Sequence, residues 1–337
     1  MTERAEVEVA GRTVSISSPD RLILPGVTKL DLARYYATVA PVMMTGLRDR
    51  PTTLERWPDG VHEGAESFYG KHAPKGIPEW VRTARVTFPS GRTGQQICPT
   101  EPAVIVWAAN LSTVTFHPWP VRSGDPDHPD ELRIDLDPQP GTGYADAVAI
   151  ACAVRDLLGE HQISAYAKTS GGRGVHVYAR IRPEWDFIDM RHAAIALGRE
   201  LERRMPGRVT TAWWKEERGE RVFLDCNQNA RDRTIASAWS VRARPGATVS
   251  TPLEWGELAS IDPESLTVRT VPERLAERGD AWADIDGTAH DLTPLLVMWQ
   301  ADVERGLPDL NYPPDYPKMP GEPPRVAPSR ARRAADQ

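Results

Sequence analysis

The chain has 337 residues, 40% of them hydrophobic and 26% charged, and a formal net charge of −6. That is long enough for one large domain or two modest ones with a sizeable core, and no apolar run approaches the ~18 residues that a membrane span needs. The acidic balance does not suggest a protein that coats nucleic acid through bulk charge and counts modestly against a nucleic-acid partner, so any nucleic-acid site must be a local basic groove.

The first residues, Met-Thr-Glu-Arg-Ala-Glu, are too charged for a secretory signal. Three scattered cysteines, Cys98, Cys152 and Cys226, exclude a zinc knuckle of paired cysteines and fit a reducing cytoplasm. Val7 to Ile16 reads as a hairpin turning at Ala10-Gly11. Thr28 and Asp31 form a capping pair for a helix that should run to about Val39. Arg21 and Lys29 are basic groups near one loop and, by themselves, ordinary surface charge. Arg48 to Trp57 reads as a strand pair around Pro51. Phe68-Tyr69-Gly70-Lys71-His72 follows in a Gly/Pro-punctuated region. The two aromatics suit a base-stacking platform as well as they suit a core. Val104 to Trp107 is a buried strand or helix, and His117 lies beside prolines, where a structural histidine is the commoner case.

Leu132 to Pro138 is the stretch on which the chain turns. Leu132, Ile134 and Leu136 alternate with Arg133, Asp135 and Asp137, the period of a half-buried strand. Side chains two apart share a strand face, with Cα atoms roughly 6–7 Å apart. Asp135 and Asp137 therefore point the same way and repel unless a cation lies between them. A divalent ion held by oxygens, Mg²⁺ or Mn²⁺ in kind, answers that need. Two solvated acids at a strand end are the plain alternative, and the pattern alone leaves both open.

A helix opened by Gly141-Thr142-Gly143 and running to about Leu158 and a strand from Ile163 to Lys168 complete a strand–helix–strand unit, for which a right-handed crossover is expected. Gly141-x-Gly143 is no dinucleotide fingerprint, because Asp146 replaces the third glycine. Thr169 to Gly174 is a Gly-rich loop whose N–H groups can converge on phosphate oxygens, with Ser170, Arg173 and His176 as added donors. His176, Tyr178 and Arg180 share the face of the next strand. Asp186 to Met205 is a helix. Arg221 to Asp225 is a strand ending in a third acid, continued by Asn227, Gln228 and Asn229. Ala238 to Pro245 reads as a strand that places Ser240, Arg242 and Arg244 on one face, and two guanidiniums there match a polyphosphate better than a core. A helical pattern resumes from Asp262 and includes Leu292 to Arg305. The stretch from Pro308 to Pro328 is dense in proline, extended and suited to wrapping on the surface. Arg325, Arg330, Arg332 and Arg333 form a short basic tail that is expected to be disordered.

Jointly these segments describe a metal-dependent transfer from a nucleoside triphosphate, with three acids able to hold two ions beside a phosphate cradle. They do not name the acceptor. An Asp-x-Asp nucleotide-sugar transferase and a catalytically silent DNA-end binding module remain as alternatives. The first would need neither Asp225 nor the Arg-x-Arg strand, and the presence of all three acids argues against the second.

The order Phe68-Tyr69-x-Lys71-His72, Phe116-His117, Asp135-Leu136-Asp137, Ser170-Gly171-Gly172-Arg173-Gly174-x-His176, Asp225 with Asn227-Gln228-Asn229, and Ser240-x-Arg242-x-Arg244 resembles the archaeo-eukaryotic primase superfamily. Within it the chain looks most like the polymerase domain of bacterial ligase D, over roughly residues 5 to 300. No Lys-x-Asp-Gly ligase motif accompanies it, so the chain resembles a stand-alone primase-polymerase of the short-gap-filling type. The resemblance implies an α+β fold, with an RRM-like catalytic β-sheet packed on an N-terminal αβ unit. It implies a catalytic domain over 1–300 and a Pro-rich extension over 301–337. It implies that Asp135 and Asp137 bind both of two Mn²⁺ or Mg²⁺ ions, that Asp225 binds the ion activating the primer 3′-hydroxyl, and that His117 is catalytic. Ser170, Gly171, Arg173, His176, Gln228, Arg233, Arg242 and Arg244 would hold the incoming NTP or dNTP, with ribonucleotides preferred. Arg21, Lys29, Phe68, Tyr69 and Lys71 would meet DNA. Ser18 and Arg21 stand where an Asn and a Lys are usual in the 5′-phosphate site, and Tyr69 replaces a second Phe. The implied partners are gapped or broken DNA and a DNA ligase or end-binding repair protein, met by a monomer in the nucleoid-associated cytoplasm, with no membrane.

Overall fold

The computed structural model describes residues 4–329. The opening alternation forms a hairpin of β1 (Arg4–Val9) and β2 (Arg12–Ser17), turning at Ala10 and Gly11 with φ of 47° and 80°. β3 (Leu22–Leu24) and β4 (Val27–Thr28) lead into α1 (Lys29–Leu47). The Thr28–Asp31 pair is a reciprocal capping box: the Asp31 N–H donates to Thr28 Oγ1 at 3.1 Å, and the Thr28 N–H donates to Asp31 Oδ2 at 3.0 Å. The helix does not stop near Val39. It continues through Pro41 because Tyr36, Val39, Ala40, Met43, Met44 and Leu47 form one unbroken buried stripe, whose packing outweighs the lost backbone bond.

β5 (Thr52–Arg56), β6 (Phe68–Gly70), β7 (Thr83–Thr87), β8 (Thr93–Ile97) and, after α2 (Ala103–Asn110), β9 (Thr113–Pro118) make an N-terminal sheet with β9 along β5. Val104–Trp107 thus lies on a helix. The expected strand pair around Pro51 is a single strand, β5. Arg48 caps α1 and Asp49 takes φ of 56°, which ends any extended run there.

The second sheet is built from β10 (Glu131–Pro138), α3 (Tyr144–Glu160), β11 (Tyr166–Thr169), β12 (Val175–Arg180), α4 (Phe187–Arg204), β13 (Val209–Thr210), α5 (Lys215–Arg218) and β14 (Val222–Leu224). Short strands β15 (Ser240–Val241), β16 (Val249–Ser250) and β17 (Pro252–Leu253) follow, then α6 (Val271–Arg278) and α7 (Thr293–Glu304). The sheet order is β13-β14-β10-β12-β11-β17. β10 is antiparallel to both β12 and β14, and β11 is antiparallel to β12. The four central strands therefore carry the split βαβ arrangement of an RRM, with β12 between the two strands that α3 connects. Ala238–Pro245 is not one strand. Trp239 takes φ of 65°, and only Ser240 and Val241 pair, with Ser250 and Val249.

The faces of β10 explain the packing. Leu132, Ile134 and Leu136 are fully buried and belong to the same apolar core as Val148, Ala151, Ala194 and Leu197 of α3 and α4. The opposite face carries Glu131, Arg133 and Asp135 and is also buried, against the expectation of a half-buried strand. The N-terminal unit covers it: Arg133 Nη1 donates to the Pro118 carbonyl at 2.8 Å, and Arg180 Nη2 to the Thr45 carbonyl at 2.9 Å.

Beyond α7 the described residues form no further strand but fold back, with Tyr312 buried. Arg325 is not part of a free tail: it donates to Glu322 Oε1 at 2.6 Å and to the Tyr316 carbonyl at 2.6 Å. Arg330, Arg332 and Arg333 lie outside the described residues. Among the described residues, no helix is long and apolar enough to cross a membrane.

Candidate active site

Four side chains form one row across the polar face of the second sheet. Asp135 stands opposite His176 in the β10–β12 register, and His176 opposite Lys168 in the β11–β12 register. On the other side of β10 the Asp225 N–H donates to the Asp135 carbonyl at 3.0 Å, one residue beyond the Leu136–Leu224 pair. Residues opposite each other in an antiparallel pair share a face. The row is therefore Asp225, Asp135, His176, Lys168, with Asp137 two residues along from Asp135.

Three carboxyls in this space repel one another. The pKa of Asp135 is pushed up to about 6 by burial, and that of Asp137 to about 6, chiefly by the Asp135 charge. Burial and the Asp135 charge raise Asp225 to about 7. Lys168 Nζ lies 2.7 Å from His176 Nδ1 and donates to Ser250 Oγ at 2.6 Å. Burial holds both Lys168 and His176 well below their ordinary values. The other ring nitrogen of His176, Nε2, lies 3.2 Å from Asp135 Oδ1, and Asp135 Oδ1 is buried without a hydrogen-bond partner. A divalent cation fits this donor set, since hard carboxylate oxygens are its ligands, its charge would relieve the mutual repulsion, and the orphaned oxygen lacks a partner. Among the described residues, no group of three or more His, Cys, Asp or Glu side chains already stands arranged to hold an ion.

The Gly-rich loop lies against the same strand end. Gly174 sits where a Cβ would be 2.7 Å from the Leu136 carbonyl and 3.4 Å from Asp137 Oδ1. Gly171 has φ of 72°, and a Cβ there would run into the Arg242 side chain. Ser170 Oγ accepts from the Gly172 and Gly174 N–H groups at 3.2 and 3.1 Å, so the hydroxyl shapes the loop. The Arg244 guanidinium covers Gly172, and Arg242 reaches far enough in to affect Asp135, Asp137 and His117. Arg242 and Arg244 thus converge on the loop although no continuous strand aligns them. Arg173 is exposed on the loop. Gln228 Nε2 donates to Asp225 Oδ2 at 3.4 Å.

His117 Nε2 lies 3.0 Å from Glu55 Oε2, and Trp57 Nε1 donates to the other oxygen of Glu55 at 3.0 Å. Burial keeps His117 below its ordinary pKa. Tyr69 packs 5.6 Å from the His117 ring, while Phe68 and Tyr69 remain 56% and 52% exposed, an open platform rather than core. Lys71 pairs with Asp232 at 2.7 Å, and Arg233 pairs with Asp315. Arg21 and Lys29 lie in a separate cluster. Lys29 Nζ donates to Ser17 Oγ and the Asn110 carbonyl, both at 3.1 Å, and Arg21 donates to Ser112. Burial and the Arg21 charge lower Lys29 to about 8. Arg56 bridges the two regions, donating to the Leu111 carbonyl at 3.0 Å and lying over Phe68 at 5.9 Å.

Lys168, Glu55 and Arg218 belong to this region and were not singled out in the sequence. Arg218 lies 3.4 Å over the Phe223 ring, and its charge partly offsets the rise in the pKa of Asp137 and Asp225. Lys168 was legible in principle, as the strand partner of His176. Arg218 sits in a charged segment that carries no periodic signal.

A family model described as "LigD, primase-polymerase domain" matches residues 28–282. The chain belongs to the LigD primase-polymerase domain family. It is 33% identical over 283 residues to the multifunctional non-homologous end joining protein LigD of Mycolicibacterium smegmatis, covering 82% of this chain and 36% of that protein. The Pseudomonas aeruginosa LigD protein is 34% identical over 289 residues, covering 84% and 34%. The chain thus spans about a third of the length of these LigD proteins. Among solved structures, the polymerase domain of Mycobacterium tuberculosis ligase D in complex with DNA matches with a TM-score of 0.76 and 31% identity, covering 82% of this chain and 99% of that one. The α+β fold with an RRM-like sheet is the fold of that LigD domain.

Proposed function

We propose that the protein is a template-directed nucleotidyltransferase that extends a primer 3′-hydroxyl from NTPs, filling short DNA gaps in end-joining repair. The observation that carries this reading is the arrival of Asp225 beside Asp135 from a different strand, with the Gly-rich loop and Arg242 against the same strand end. Membership of the LigD primase-polymerase family supports it.

Asp135 and Asp137 would each hold two divalent ions, Mn²⁺ or Mg²⁺, and Asp225 one of them. Such ions supply Lewis acidity at the attacking and leaving oxygens. Ser170, Gly171, Arg173, His176, Arg242 and Arg244 line one side and would hold the triphosphate through N–H and guanidinium donors. Arg242 is well placed to balance negative charge on the departing pyrophosphate. Gln228 orients Asp225. His117, fixed by Glu55 and flanked by Tyr69, would order the nucleotide at the site, and Arg233 would contact it from the edge. Phe68 and Tyr69 would stack on a base, with Lys71, Arg21 and Lys29 on DNA phosphates. A preference for ribonucleotides, a DNA ligase or end-binding partner, and a nucleoid address belong to the same reading.

The test is extension of a gapped duplex, with and without a 5′-phosphate, using ribo- or deoxynucleotides. Asp135→Ala and Asp137→Ala should each abolish extension, at least 10³-fold, while the proteins stay folded. Persistent extension by either would refute the assignment.

A further inference from the structure

The carboxylate that approaches Asp135 from β14 is connected by hydrogen bonds, through Asn227, to a segment that lies beyond the family match. The turn Cys226–Asn229 follows β14, and the Asn227 N–H donates to Asp225 Oδ1 at 2.9 Å. One side of this turn is clipped to β10: Asn229 Oδ1 accepts from the Arg133 N–H at 3.0 Å, and its Nδ2 donates to the Arg133 carbonyl at 2.7 Å. The other side is held by the C-terminal stretch. Asn227 Nδ2 donates to the Asn311 carbonyl at 3.0 Å, and Asn227 Oδ1 accepts from Arg191 Nε at 2.8 Å.

Arg191 is fully buried on α4. Its remaining donors reach Asp309 Oδ1 at 2.6 Å and the Leu310 carbonyl at 2.7 Å, and its guanidinium lies 3.7 Å over the Tyr312 ring. Every side-chain polar atom of Asn227 is therefore occupied, on the side away from Asp225, by Arg191 or by residue 311. The side chain cannot rotate without breaking these bonds, and its backbone N–H stays aimed at the carboxylate.

We propose that the segment Asp309–Tyr312 is a positioning element for Asp225, acting through Arg191 and Asn227. This rests on the reading that Asp225 holds a divalent ion. Three crowded carboxylates tend to swing apart when no cation is present, and outer partners that hold a ligand's orientation are worth about 10–100-fold in metal affinity. A site needs its ligands held to within about 0.5 Å. The segment supplies that restraint from residues that the family match, ending at 282, does not include.

The test is a titration with Mn²⁺ alone, free ion read by electron paramagnetic resonance, without DNA or nucleotide. It compares the full-length protein with Asn227→Ala, Asp309→Asn and, as reference, Asp225→Ala. The proposal expects Asn227→Ala and Asp309→Asn to weaken Mn²⁺ binding about 10-fold, with affinity for nucleotide-free DNA unchanged. Asn227→Ala leaves the Arg191–Asp309 pair intact and decides the matter if Asp309→Asn does not fold. Mn²⁺ binding within twofold of the parent in Asn227→Ala, alongside a clear loss in Asp225→Ala, overturns the positioning role and leaves the metal reading standing. Undiminished binding in Asp225→Ala overturns the metal reading, and the positioning role falls with it.

Discussion

Strand β10 carries two buried acids four residues apart whose surroundings are opposite in kind. Glu131, at the start of the strand, is met by Arg133 at 2.5 Å, by Arg50 at 3.0 Å and by Arg180. Those cations, with Arg50 first among them, hold its pKa far below the carboxylate range despite burial. Asp135, on the same face, is pushed up to about 6 because burial outweighs the more distant Lys168 and Arg242 charges. Asp130 extends the first cluster through Arg50 and Arg122, whereas Asp137 and Asp225 add only more negative charge to the second. One end of the face is a closed ion network that fastens the N-terminal unit to the sheet. The other is a cluster of acids on which Lys168, Arg218 and Arg242 act without forming an ion pair with any of the three. Burial and residue type are alike in the two, so neither marks function. The difference lies in whether the charge is answered by protein.

This contrast makes a stability prediction of opposite sign at the two ends. Glu131→Ala leaves Arg50, Arg133 and Arg180 without their shared partner in a buried place, and breaking such a pair costs about 3–5 kcal/mol. Asp135→Asn removes one of three repelling charges while keeping shape. Urea unfolding of the metal-free proteins at pH 7.5 should show a large loss for Glu131→Ala and no loss, or a gain, for Asp135→Asn. Equal destabilisation by both would mean that the acids of the site are structural after all.

The same contrast shows what the sequence could disclose. Alternation about Asp135 and Asp137 gave the strand and the shared face, because the period of two is local. The motif order gave the family and hence the RRM-like sheet, which local patterns do not specify. The burial of the polar face was not legible, since it depends on a second unit 15 residues upstream reaching over with the Pro118 carbonyl. The end of α1 was misplaced because tertiary packing overrode Pro41. The Arg242–Arg244 segment was read as a strand because alternation persists through it, while the left-handed turn at Trp239 has no signature in that residue's identity. Lys168 was passed over because a lysine at a strand end is nearly always solvated.

A smaller effect follows from pH. The folded-state pKa of Asp225 is about 7 against an ordinary value of 3.8, so between those values the folded chain holds more protons than the unfolded one. Stability from this group is present at low pH and is lost as pH rises towards 7. His117 and His176 are lowered and act in the opposite sense, with stability rising up to their ordinary value of 6.5. The parent profile is therefore a composite, and the difference between Asp225→Asn and the parent isolates the carboxyl. Without metal, Asp225→Asn should raise Tm by a few degrees at pH 7.5, by less than half as much at pH 5, and scarcely below the ordinary value of 3.8. Adding Mn²⁺ at pH 7.5 should raise the Tm of the parent more than that of the variant, because bound ion stabilises the folded state by mass action. A difference independent of pH would place Asp225 outside the repelling trio.

The smallest effect sharpens the division within the site itself. Arg242 packs its stem on Gly171 and reaches the acids, whereas Arg244 covers Gly172 from an exposed position. A guanidinium already partly desolvated forms the stronger bond with a phosphate, because less water must be removed and the local dielectric is lower. Arg242→Ala should therefore weaken nucleotide binding by about 2 kcal/mol, some thirtyfold, and Arg244→Ala by less. Both should leave binding of nucleotide-free DNA nearly unchanged, which titration calorimetry with a non-hydrolysable NTP and fluorescence anisotropy with a gapped duplex would measure. Equal loss of nucleotide and DNA binding in Arg242→Ala would place that cation on the DNA path, and the acids at the end of β10 would then have no phosphate counterpart on the loop.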